Sequence, residues 1–208
     1  MYPTEGTEFI TELRFSNSTE DYKSGTTGEA DSDSSYSGTK SFTDFNFHYE
    51  NYNIKIGCLR FSFNAEINFS EHDYLSNSMA DLLTINAFRP TAMSKTMIFE
   101  DYRANIYAAG GLGWVLNFSD SFHWRVDGYA FQPYKKDFLE ISSSDNYVMV
   151  NKNDFDGFKY FFNTALVYHT PIGPVAFNLQ YMPQNTTKFY YMFNIGFMLY
   201  NFGWWNKN

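Results

Sequence analysis

The sequence predicts an all-β protein: an antiparallel transmembrane β-barrel wall of about eight strands. Three observations predict it. The stretch 187–200, TKFYYMFNIGFMLY, alternates with a period of two. Phe189, Tyr191, Phe193, Ile195, Phe197 and Leu199 form one wholly apolar face; Lys188, Tyr190, Met192, Asn194, Gly196 and Met198 form a mixed one. A tilted strand needs roughly nine to eleven residues to cross a bilayer, and this stretch is long enough. The second observation is compositional. Mean hydropathy is only -0.42, yet 21% of the 208 residues are aromatic, with 23 Phe and 17 Tyr. Apolar outside and polar inside is how a membrane barrel keeps its mean hydropathy low. The third is the alternation of connection lengths. Turns after the second, fourth and sixth predicted strands are short, and the connections after the first, third and fifth are long; only the one after the seventh breaks the pattern.

The chain is long enough for one domain. It has no apolar run of about eighteen residues, so no helix of it would cross a membrane. A net charge of -8 argues against a nucleic-acid partner, because nothing would neutralise phosphates. The single cysteine, Cys58, has no internal disulfide partner and reads as a small packed strand residue. Glu5, Glu8 and Glu12 occupy the region where a secretion signal would carry basic residues before an apolar run. An exported barrel is therefore expected to begin upstream of Met1.

Taken in order, 7–16 alternates, with Phe9, Leu13 and Phe15 against Glu8, Glu12 and Arg14. The Ser/Thr/Gly/Asp-rich stretch 18–40 reads as a long external loop, disordered at its centre. Strands are predicted at 41–50 and 54–70; in the latter Phe61, Phe63, Ile67 and Phe69 oppose Arg60, Ser62, Asn64 and Glu66. The stretch 71–105 loses the period of two and reads as a long external insert with apolar residues of its own. Strand 106–118 sets Leu112, Trp114 and Leu116 against Gly111 and Gly113, and glycines on an inner face suggest a close backbone approach. Strand 122–132 points Arg125, Asp127, Tyr129 and Phe131 inward. The stretch 133–156 reads as a polar external loop. Strands at 157–169 and 175–181 and the last strand complete the count, with 202–208 as a tail.

These residues resemble one barrel family. The turn YPTEGT at 2–7, the stretch EDYRANIYAAGGLG at 100–113, the strand RVDGYAFQPY at 125–134 and the hairpin LVYHTPIGP at 166–174 are similar, in order and spacing, to the bacterial surface antigen family, within the Omp-eighty-five superfamily. The similarity is greatest to the C-terminal barrel of patatin-like phospholipases from Bacteroidetes-type bacteria, and it covers nearly the whole chain.

The resemblance implies that 1–208 is the C-terminal half of a sixteen-stranded cell outer-membrane barrel whose N-terminal half precedes it. It implies that the insert folds back into the lumen and that Arg103, at its tip, pairs with Asp127 on the wall, with Gly111 and Gly113 allowing the approach. Ala104 stands where the family motif has glycine. A bidentate arginine–carboxylate contact would offset the cost of a charge inside a barrel. Taken alone, Arg103 reads instead as a solvated loop arginine. Asn194, Gly196, Leu199 and Phe202 resemble the C-terminal signal read by the barrel-assembly machinery. The implied partners are outer-membrane lipid and lipopolysaccharide, that machinery, the other barrel half and a periplasmic phospholipase domain.

No enzyme is expected in the chain itself. A patatin hydrolase needs G-x-S-x-G, and none occurs. His48, His72, His123 and His169 are scattered, none with a second histidine at metal-ligand spacing. Glu29, Asp31 and Asp33 lack the glycine and closing glutamate of a calcium loop. No cofactor, metal or catalytic residue is assigned. Two functional readings remain. The first is a barrel module that anchors or exports a passenger such as a patatin-like phospholipase, or assists protein or lipid translocation. The second is a complete eight-stranded barrel with an adhesive or structural role. Packing disfavours the second, because side chains alone fill an eight-stranded interior and leave no room for the insert.

Overall fold

The computed structural model describes residues 3–23, 35–72, 75, 83–141, 147–153, 155–171 and 173–196. They form one antiparallel sheet. Its strands are β1 (Thr7–Lys23), β2 (Ser35–Ile56), β3 (Leu59–His72), β4 (Ile106–Asn117), β5 (Phe122–Ile141), β6 (Tyr147–Asn153), β7 (Lys159–Thr170), β8 (Gly173–Tyr181) and β9 (Phe189–Ile195). The order is β1-β2-β3-β4-β5-β7-β8-β9, with β6 paired to the upper part of β5. The sheet does not close: β1 and β9 are its two edges. The only helix among the described residues longer than one turn is α1 (Ala92–Thr96), in the insert between β3 and β4.

Alternation sorts the side chains as the sequence predicts. On β9, Phe193 is 62% exposed; on β3, Asn64 is only 6% exposed. Phe63, Leu112, Trp114, Trp124, Phe162 and Phe177 continue the exposed outer face across β3, β4, β5, β7 and β8. Ser62, Asn68, Arg125, Asp127, Asn163 and Gln180 are buried on the inner face, under the insert. The main cluster lies between insert and sheet, where Phe88 and Tyr102 of the insert meet Tyr107, Tyr129, Phe131, Phe161 and Met182. Burying each large ring there contributes about 1.5–3 kcal/mol.

Several strand bounds differ from the sequence reading. The break predicted at 51–53 is a register shift inside β2, which continues to Ile56, and the turn falls between Ile56 and Leu59. The stretch 18–40 is not loop throughout: β1 runs to Lys23 and β2 starts at Ser35, paired at Lys23↔Ser35. The extension is a backbone ladder laced by Ser37 Oγ–Asp21 Oδ1 (2.5 Å) and Ser41 Oγ–Asn17 Oδ1 (3.0 Å), so it needs no apolar residues. The stretch 133–156 is likewise mostly strand, because β5 continues to Ile141 and returns as β6, giving nine strands. Pro133 was a plausible break, but a register shift between Ile106 and Tyr107 accommodates it within the ladder. The last strand is described only to Ile195, and the predicted 197–200 lies outside the described residues. Cys58 also differs: it is exposed in the β2–β3 turn, beside Gly57, whose φ of 63° is a left-handed conformation suited to glycine.

Candidate functional site

Two residues apart on β5, Arg125 and Asp127 share the inner face. Arg125 Nε donates to Asp127 Oδ2 at 2.8 Å and Nη2 to Oδ1 at 3.1 Å, a bidentate pair. The two residues are 5% and 2% exposed. Tyr52 of β2 completes the setting, with its ring 5.8 Å from the guanidinium carbon and its hydroxyl 3.4 Å from Nη2. Ser62 Oγ lies 3.5 Å from Asp127 Oδ1.

The inner-face glycines make room for this wall chemistry. A Cβ at Gly113 would fall 2.3 Å from Asp127 Oδ1 and 2.7 Å from Ser62 Oγ; at Gly111 it would fall 2.3 Å from the Tyr129 ring. The close neighbours are therefore side chains and backbone oxygens of the adjoining strands, Val126 O at 2.8 Å from the Gly113 position and Gly128 O at 3.1 Å from the Gly111 position, and none belongs to the insert. The expectation that these glycines admit the insert backbone is corrected accordingly.

The Arg103–Asp127 contact is corrected too. Asp127 is engaged by Arg125, while Arg103 Nη1 donates to Ile85 O within the insert at 2.8 Å. Arg103 sits in a bridge with Ala87, and Phe88 N donates to Tyr102 O at 3.0 Å, so the insert folds as its own small hairpin. Burial, with Arg89 close by, pulls the Arg103 guanidinium below its ordinary value.

Other groups hold the insert to the wall. Tyr102 OH donates to Tyr160 O of β7 at 3.2 Å, and burial pushes its hydroxyl well above the usual range. Lys159 of β7 pairs with Asp101. Thr91 caps α1 through Ser94 N at 3.1 Å and donates to Gln180 Oε1 of β8 at 2.9 Å. Asn86 Nδ2 donates to Asn68 Oδ1 of β3 at 2.9 Å, and Asn68 Nδ2 to Asn105 O at 3.0 Å. A cavity of about 40 Å³ lies between α1 and the Arg125–Asp127 pair.

A second constellation escaped the sequence reading. Adjoining that cavity, and sharing Glu50, Tyr52, Pro90 and Lys95 with it, a groove of about 700 Å³ opens along β1–β3. His48 of β2 lies on it between two carboxylates: Nδ1 is 3.2 Å from Glu66 Oε2, and Nε2 is 3.3 Å from Glu50 Oε1. Tyr107 OH donates to the other Glu66 oxygen at 2.5 Å. Glu8 of β1 brings a third carboxylate to the ring: ligand atoms of Glu8, His48 and Glu50 lie within 4.8 Å of one another. The signal was His48-x-Glu50, one face of one strand, with Glu66 and Glu8 opposite on the neighbours. Searching for paired histidines passed over it.

Of the C-terminal residues, Asn194 accepts a hydrogen bond from Asn178 Nδ2 at 3.0 Å, and Gly196 N donates to Pro174 O at 2.9 Å. Leu199 and Phe202 lie outside the described residues. The chain matches no protein-family model, no curated protein and no solved structure.

Proposed function

We propose that the chain is a wall segment of an outer-membrane β-barrel, with the insert packed inside it and the ring completed by strands supplied from outside these residues. Its work is to anchor or export a passenger, for which a patatin-like phospholipase is the candidate suggested by sequence resemblance. One observation carries this reading. The outer face of β1, β3, β4, β5, β7, β8 and β9 presents large exposed apolar side chains, among them Phe9, Phe63, Leu112, Trp124, Phe162, Phe177 and Phe193. In water a contiguous apolar surface of more than a few hundred Å² drives association, and an antiparallel sheet with one solvated face keeps that face polar. Lipid removes the conflict.

The open sheet and the occupied inner face both support a ring larger than the chain alone would close. Eight strands rolled shut would have an interior filled by their own side chains, whereas here Phe88, Met93 and Tyr102 of the insert occupy that side.

The test is fractionation of cells that make the protein. The proposal expects it in the outer-membrane pellet, resistant to urea extraction, and migrating faster in unheated than in boiled detergent samples. Recovery as a soluble species would overturn it.

A further inference from the structure

We infer that His48, Glu50 and Glu8 form a binding site for one divalent cation, with Zn²⁺ the best-matched ion. The inference stands on the local geometry and does not depend on the lipid reading.

The ring has two distinct sides. Its Nδ1 faces Glu66, whose second oxygen is held by Tyr107 OH. A carboxylate on one imidazole nitrogen is the arrangement that fixes the tautomer and turns the other nitrogen to a metal. That other nitrogen, Nε2, faces Glu50 Oε1 at 3.3 Å. Two donors bound to one tetrahedral Zn²⁺ at about 2.0–2.1 Å stand roughly 3.3 Å apart, so this edge of the polyhedron has the required length. Glu8, directly opposite Glu50 in the ladder, supplies the third donor. It is exposed on the edge strand, and its long side chain has the freedom to close the remaining distance.

The alternative role is a charged imidazole shared by two carboxylates. One feature exceeds it. A pair of carboxylates leaves the third, Glu8, unexplained, for its oxygen lies within 4.8 Å of the ligand atoms of both His48 and Glu50. The Asn64 amide, opposite Glu50, donates to Glu50 Oε1 at 3.1 Å and fixes the direction of that donor. One imidazole with oxygen donors suits Zn²⁺ better than calcium or magnesium, which prefer oxygen alone. The remaining coordination position faces the groove.

The experiment is calorimetric titration of ZnCl₂ into the full chain folded in detergent micelles and stripped with chelator. We expect one saturable Zn²⁺ per chain. Glu8→Gln, on the exposed edge, keeps the fold and should weaken binding at least tenfold. His48→Ala should abolish it, and Glu66→Gln should weaken it about tenfold through loss of ring orientation. Co²⁺ in place of Zn²⁺ should give visible absorption bands that disappear in His48→Ala. Absence of saturable binding in folded protein, or equal binding in Glu8→Gln and His48→Ala, would overturn the site and leave His48 as an ion-paired wall residue.

Discussion

Gly113 on β4 holds open the space that the Asp127 carboxylate of β5 fills: a Cβ at residue 113 would lie 2.3 Å from Asp127 Oδ1 and 2.8 Å from Val126 O. The two residues are direct ladder partners. Ser62 Oγ is a third obstacle at 2.7 Å, and Val126 O is backbone, so a methyl group there cannot be relieved by side-chain rotation alone. Gly113→Ala should destabilise the folded protein by about 1–3 kcal/mol, the usual cost of overpacking. The check is the denaturant midpoint in micelles; an unchanged midpoint would show that the Asp127 carboxylate has another place to go.

The pair that Gly113 accommodates should behave as a unit. Asp127→Ala leaves Arg125 buried without its counter-charge and should cost about 3–5 kcal/mol. Replacing both, as Arg125→Met with Asp127→Leu, should cost clearly less than the sum of the two single changes. A double-mutant cycle measures the coupling, and additivity would deny that the pair is a unit.

Phe88 anchors the insert. It is 1% exposed, and its ring centroid lies 5.9 Å from Tyr129 and 6.3 Å from both Phe131 and Phe161. Phe88→Ala should remove about 3–5 kcal/mol of docking energy. The wall has its own ladder, so the predicted signature is local: protease cleavage within 83–105 rises while the strands stay protected. Uniform loss of protection would mean that the insert is part of the folding core of the sheet.

The outer face should refuse charge. Phe177 of β8 stands opposite Phe193 of β9, and both are exposed. Phe177→Arg should cost roughly 2–4 kcal/mol of folding stability in a bilayer if this position lies near the midplane. A soluble sheet would tolerate the same change, since an exposed arginine in water carries no such penalty. Refolding yield into vesicles distinguishes the two.

Much of this fold was legible in the sequence, because alternation fixes which face each side chain takes. Phe193 out and Asn64 in follow from the period of two alone. Hydrophobicity gave no sign of the upper β1–β2 ladder, which is held by backbone pairing, so 18–40 read as a loop. The β5–β6 ladder does pair apolar residues, Phe138 with Val150 and Leu139 with Met149, but Pro133 and the polar residues between and around these runs made 133–156 read as a loop. The site was half legible. Arg125 and Asp127 were both placed inward on one strand, and their spacing of two already put them in reach of each other. The Arg103 expectation came from resemblance and overlooked that nearer partner. The His48 cluster was invisible for a different reason: its members come from three strands, and only the register brings Glu8 opposite Glu50 and Glu66 opposite His48.

The central claim is that the outer face meets lipid. Trp114 and Trp124 lie on that face, and Trp204 and Trp205 complete the four tryptophans. With Trp204 and Trp205 replaced by Phe, fluorescence should be strongly quenched in vesicles of brominated-chain lipid and little affected by aqueous iodide. Quenching by iodide with no response to brominated chains would contradict the account.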